Sequence, residues 1–91
     1  MIKSFRHKGI KKLFEKGDTS GVNPNHVTKL KRILFRLDKA VTVKELDIAG
    51  YRLHEYKNNK GLWSIDVSGN YRILFEFKDR NVYVVDYLDP H

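Results

Sequence analysis

The stretch from Tyr51 to Phe77, YRLHEYKNNKGLWSIDVSGNYRILFEF, constrains the fold most, because apolar and polar side chains alternate through three short runs of it. Alternation with a period of two marks strands that bury one face. In the first run Tyr51, Leu53 and Glu55 point one way and Arg52, His54 and Tyr56 the other. In the second, Trp63, Ile65 and Val67 fall with the apolar set and Ser64 and Asp66 with the polar one. In the third, Tyr71, Ile73, Phe75 and Phe77 share a face, and Asn70, Arg72, Leu74 and Glu76 share the opposite one. One face of the predicted sheet is therefore a core wall. The other collects histidine, arginine and amide side chains, and it is the part of the chain that looks like a chemical site.

The remainder frames this sheet. Ile2 to Phe5 alternates and reads as an edge or flanking strand. His7 to Lys16 places Ile10, Leu13 and Phe14 at helical spacing among Lys8, Lys11, Lys12 and Lys16, and Gly17 supplies a helix stop. Asp18 to Val22 is loop by composition. Asn23 and Pro24 then form a helix start, since Asn caps orphan amides and Pro suits the first helical position. Val27, Leu30, Ile33, Leu34 and Leu37 follow at three- and four-residue spacing, predicting a helix to Leu37 or Asp38. Thr42 and Glu45 form a capping box before a single turn through Leu46 to Ile48, closed by Gly50. Turn residues Asn58 to Gly61 join the first two strands, and Ser68 and Gly69 predict a two-residue hairpin. Asp79 to Asn81 then turns the chain into a last strand, Val82 to Tyr87. This order predicts a small single α+β domain over residues 1–91, with two N-terminal helices packed on one face of a mostly antiparallel sheet of four to five strands.

Composition limits what such a domain can do. Ninety-one residues suffice for one core. Eighteen Lys and Arg against eleven Asp and Glu give a formal charge of +7, which favours a polyanionic partner, nucleic acid first and an anionic membrane second. No apolar run approaches the roughly 18 residues of a membrane span, and the basic opening MIKSFRHKGIKKLF lacks the apolar core of a secretory signal. The absence of cysteine removes disulfides, thiol nucleophiles and thiolate metal sites. No His, Asp or Glu grouping has metal-ligand spacing, so neither metal nor cofactor is expected. The cytoplasm is the simplest expected location.

Four segments, IKSFRHKGIKKLFEKG, RLHEYK, GLWSIDVSGNYRILFEF and VVDYLDPH, resemble in joint order and spacing the HigB toxins of the RelE/ParE superfamily of bacterial toxin-antitoxin proteins. The resemblance spans essentially the whole chain. It implies a RelE-like fold and a ribosome-dependent endoribonuclease that cuts mRNA and halts translation. It also implies a HigA-like helix-turn-helix antitoxin as partner, with a toxin-antitoxin heterotetramer as the expected assembly. The positions matching the family's motifs are His54, Lys57, Asn70, Arg72, Asp89 and His91. Pro90 stands where the family has tyrosine between the terminal Asp and His, and Lys60 stands where arginine is common.

What the resemblance implies for chemistry is metal-free cleavage, in which the ribose 2′-hydroxyl attacks its own phosphate. The reaction needs a base, an acid and cations for the phosphoryl oxygens. His54 and His91 are the natural acid-base pair, as base and acid or with the roles exchanged, since histidine titrates near neutrality. Arg72 can grip two phosphoryl oxygens and Lys57 adds a point charge. Asp89 can orient a neighbouring histidine. Asn70, Tyr56 and Lys60 are the expected RNA contacts, with Tyr56 the aromatic on the polar face beside His54. Each has a plainer rival as a solvated surface group. His7 and His26, at helix ends, are expected at the surface, and Trp63, Tyr71, Phe75 and Phe77 in the core. Two other functions remain: a ParE-like gyrase poison without ribonuclease activity, against which His54, Arg72 and His91 together argue, and a basic RNA-binding module without chemistry, which composition alone supports equally well.

Overall fold

The computed structural model describes residues 1–89. Helix α1 spans Lys8–Lys16, helix α2 Val27–Lys39, and strands β1 to β4 span His54–Glu55, Leu62–Asp66, Arg72–Lys78 and Asn81–Leu88. The strands pair antiparallel in sequence order. Both helices cover one face of the sheet, giving the α+β architecture that the alternation and helical spacing predict. Among the described residues no helix is long and apolar enough to cross a membrane.

Local chemistry sets each helix. The ring of His7 caps α1 through Nδ1, which accepts the Ile10 amide at 3.2 Å, and Gly17 ends the helix in the left-handed region at φ +69°. Asn23 accepts the Asn25 amide and opens a 3₁₀ turn over Pro24–His26 that leads into α2. Glu45 accepts the amides of Val41 and Thr42 at 2.8 and 2.7 Å, fixing the 3₁₀ turn Val43–Leu46. Those backbone donors hold its carboxyl below the ordinary range, Thr42 contributing most and Val41 next. Leu30, Ile33, Leu34 and Leu37 of α2 are buried against Ile65, Ile73, Phe75, Val82 and Val85 of the sheet, with Ile10 and Leu13 of α1 in the same core.

Several details depart from the sequence reading. The first strand, expected from Tyr51 to Tyr56, is only His54–Glu55. Its early part is lost because Tyr51 turns back to donate to the Ile48 carbonyl and Arg52 sits at φ +50°, outside extended backbone. Ile2 to Phe5 forms no full strand. It makes two isolated parallel bridges to Val82 and Val85, which still cover the outer edge of β4. The predicted hairpin at Ser68 and Gly69 is a wider loop, in which the Val67 and Ser68 amides both donate to the Tyr71 carbonyl, at 2.9 and 3.2 Å, and the Ser68 hydroxyl accepts from Tyr71. Asn70 accordingly lies in that loop rather than on the third strand. Strands β3 and β4 are joined instead by Asp79 and Arg80 at φ +51° and +67°, the signature of a two-residue type I′ turn. Asn81 already belongs to β4.

The register of β4 slips by one residue between the pairs Leu74↔Asp86 and Glu76↔Tyr83. Val84, at φ +49°, forms the bulge, and its amide donates to the Ser4 hydroxyl at 2.9 Å. The slip turns both Val85 and Val82 into the core although they are three apart, and leaves Val84 outside.

Helix α1 is locked to the loop before α2 by a glycine pair. A Cβ at Gly9 would lie 2.3 Å from the Gly21 carbonyl oxygen, closer than any contact a real Cβ makes. Within a helix, Gly to Ala normally stabilises by about 1 kcal/mol. Here Gly9→Ala is expected to reverse that sign and destabilise by about 1–3 kcal/mol, the usual range for forced overpacking. An unchanged or raised melting temperature would show that the helix and loop separate freely.

Candidate active site

The open face of the sheet carries two ladder rows. One runs His54, Ser64, Leu74, Asp86 across the four strands, and the next runs Asp66, Arg72, Leu88. His54 and Arg72 thus share a face, two strands and two positions apart, on the order of 12 Å between backbones at the usual strand spacing and rise. That separation leaves room for a phosphodiester between the two side chains.

His54 is exposed, and its Nδ1 lies 3.0 Å from the Arg52 carbonyl. A carbonyl oxygen can only accept, so Nδ1 carries the proton and the neutral ring presents its lone pair at Nε2. That is the tautomer a general base requires. Tyr56 lies parallel to the His54 ring, with 4° between planes and 6.1 Å between centroids, so the two rings share the open face as alternation predicts.

The arginines are tied down by carboxylates. Asp66 meets the Nε of Arg72 at 3.9 Å and the Nε of Arg52 at 3.5 Å, and Asp86 meets the Nε of Arg6 at 3.9 Å. Arg6, Arg52, Asp66 and Asp86 were not among the site residues expected from sequence. Alternation had already put Arg52 and Asp66 on the polar face. Arg6 had no such signal, because it reaches the site through the non-local bridge of the N-terminal segment to β4. Ser64, assigned to the polar face, is fully buried beneath it, and its hydroxyl has no hydrogen-bond partner among the described residues.

The remaining expected site residues spread along the sheet. Asn70 is exposed in the loop that leads into Arg72, and Asp89 is exposed just past β4, at that same end of the sheet. Lys57 and Lys60 are exposed in the turn between β1 and β2, at the other end. Lys60 lies beyond Leu62, which pairs with Glu76, four positions or roughly 14 Å along β3 from Arg72. Pro90 and His91 lie outside the described residues.

At the Asp89 end, a cleft of about 650 Å³ is lined by His7, Asn23, Tyr71 and Tyr87 among others. Here the expectation that His26 sits at the surface fails. It is buried, its Nδ1 is 2.7 Å from the Tyr87 hydroxyl, and its ring lies edge-on to Tyr71 with centroids 4.8 Å apart. Burial pushes the Tyr87 phenol above its ordinary pKa, partly offset by the Asn23 backbone. The phenol and His26 Nδ1 share a single hydrogen bond, whose donor is set by the imidazole tautomer. This bond pins the end of β4, two residues before Asp89, to the start of α2. Tyr87→Phe leaves the buried imidazole nitrogen unpaired and is expected to cost about 1–3 kcal/mol. Urea unfolding reads this directly, and a variant as stable as the parent would show that the bond holds nothing.

Residues 3–91 match the family described as "RelE-like toxin of type II toxin-antitoxin system HigB". The chain is 46% identical over 92 residues to the Endoribonuclease HigB of Proteus vulgaris, covering 100% of both chains.

Proposed function

The chain belongs to the RelE-like HigB toxins of type II toxin-antitoxin systems, and from that premise we propose that it is a ribosome-dependent endoribonuclease that cuts mRNA and so inhibits translation. The observation that carries the reading is His54, whose Nδ1 is occupied by the Arg52 carbonyl and which shares a sheet face with Arg72. The activity named for the Proteus vulgaris relative supports it.

In the proposed reaction His54 Nε2 removes the proton of a ribose 2′-hydroxyl. The 2′-oxygen forms a bond to the adjacent phosphorus as the bond from phosphorus to the 5′-oxygen breaks. An acid returns a proton to that leaving oxygen, giving a 2′,3′-cyclic phosphate and a 5′-hydroxyl end. His91 is the acid in this scheme, and Asp89 orients it. Arg72 meets the charge that accumulates on the phosphoryl oxygens, where a planar fork suits two of them. Lys57, Lys60, Asn70 and Tyr56 serve as contacts to the RNA on either side. No step calls for a metal ion or cofactor.

An antitoxin partner follows from membership of a toxin-antitoxin family. We take that partner to be a HigA-like helix-turn-helix protein forming a heterotetramer with the toxin, and the site of action to be the cytoplasm, where ribosomes and mRNA are. Lys8, Lys11, Lys12 and Lys16 of α1 and Lys31, Arg32 and Arg36 of α2 are exposed away from the sheet's open face, and they supply the cationic surface for docking on ribosomal RNA.

Primer extension on an mRNA incubated with purified protein, with and without ribosomes, tests the chemistry. Cuts within codons are expected only with ribosomes, falling about 10²-fold or more in His54→Ala and Arg72→Ala, the usual worth of a general base or a charge-stabilising donor. Variants that cut within about tenfold of the parent would overturn these roles. Docking has its own test in ribosome sedimentation. For about four phosphate contacts a fourfold rise in salt should weaken binding on the order of a hundredfold, and salt-independent binding would exclude an electrostatic dock.

A further inference from the structure

We propose that Arg52, Asp66 and Arg72 form one phosphate clamp, with Asp66 as the positioning residue and Arg52 as a second guanidinium on the RNA phosphate at the cut. The inference rests on the ribonuclease reading above and extends it to two residues that neither the family match nor the relative assigns.

Both arginines meet Asp66 through Nε, one on each carboxylate oxygen, Arg72 on Oδ1 and Arg52 on Oδ2. A guanidinium held at Nε keeps its two terminal nitrogens for another acceptor, and their spacing matches two oxygens of a phosphate. The side chain of Asp66 is 21% exposed, against 37% for Arg72 and 81% for Arg52. The carboxylate thus forms the floor and the cations the rim. Two positive charges on one negative leave the triad at net +1, so a phosphodiester monoanion neutralises it and the more highly charged transition state is drawn to it further.

The backbone at Arg52 supports the clamp. Arg52 takes φ +50°, a region that residues other than glycine seldom occupy and that persists where surrounding contacts over-determine it. The Asp66 amide donates to the Tyr51 carbonyl at 2.8 Å and fastens the preceding residue to β2. The Arg52 carbonyl in turn holds Nδ1 of His54. One strained residue therefore sets the tautomer of the base through its carbonyl and the second arm of the clamp through its side chain. Arg80, the other arginine at positive φ among the described residues, lies in the type I′ turn that requires it.

Two variants separate this from a structural role. Glycine accepts φ +50° freely and keeps the carbonyl that holds His54, so Arg52→Gly should melt at or above the parent temperature while cutting ribosome-bound mRNA about tenfold more slowly. Asp66→Asn keeps the size and removes the charge. It should slow single-turnover cleavage about tenfold, yet bind an mRNA carrying a 2′-deoxyribose at the cut position as tightly as the parent or more tightly, since a negative charge has left the face. Asp66→Asn cutting within about twofold of the parent would overturn the clamp, as would equal losses of binding and cleavage, which is the signature of a damaged fold. Cleavage that survives Arg72→Ala would instead sink the ribonuclease assignment of Arg72, and the clamp with it.

Discussion

The burial of one sheet face under α2 is the constraint on which the rest depends. Leu30, Ile33, Leu34 and Leu37 form a stripe at helical spacing and are fully or almost fully buried against a sheet that contributes Ile65, Ile73, Phe75, Val82 and Val85. At about 25 cal/mol per Å² of apolar surface, this contact dominates the stability of so short a chain. It also decides where chemistry can go. Side chains alternate across each strand, so fixing Ile73 and Phe75 inward fixes Arg72 and Leu74 outward, and the pairing of β2 with both neighbours carries the same choice to Asp66 and His54. A one-residue slip of β3 would bury the arginine and expose the phenylalanine. The open face is thus specified by the core.

Most of that logic was legible in the sequence because it is local. The helix stripe, the Gly17 stop and the alternation of β3 depend on neighbours within a few residues and appear where they put them, while the Asn23-Pro24 start opens a 3₁₀ turn that leads into α2 at Val27. His54 and Arg72 were assigned to one polar face by period alone, and register places them there. What was missed depends on distant partners. His26 looks like any polar helix-end residue until Tyr87, 61 residues away, supplies the hydroxyl that satisfies it in a buried place. Arg6 reaches the open face only because the N-terminal segment bridges β4. Ser64 shares the period of Asp66 but sits between His54 and Leu74, in a row covered on both sides, so alternation named its face without revealing its burial. The first strand was overextended for a related reason, since nothing local announces that Arg52 leaves extended backbone.

Backbone strain separates structure from function on this small sheet. Among the described residues four other than glycine adopt positive φ, and Asp79 and Arg80 need no further account because a type I′ turn requires it of both. Val84 and Arg52 remain, near opposite edges of the sheet. A β-branched valine is poorly suited to this region, and its strain is offset by the bulge it creates: Val82 and Val85 both enter the core, and Ser4 takes up the freed amide. Arg52 has no comparable return in packing. Its side chain is largely exposed, and the contacts it gains are polar ones, to Asp66 through the guanidinium and to His54 through the carbonyl. Strain that brings no apolar burial is stable only if the contacts it enables hold the residue there, and here those contacts lie on the face that carries His54 and Arg72, the proposed base and phosphate ligand. The same backbone angle therefore serves the fold at Val84 and the site at Arg52.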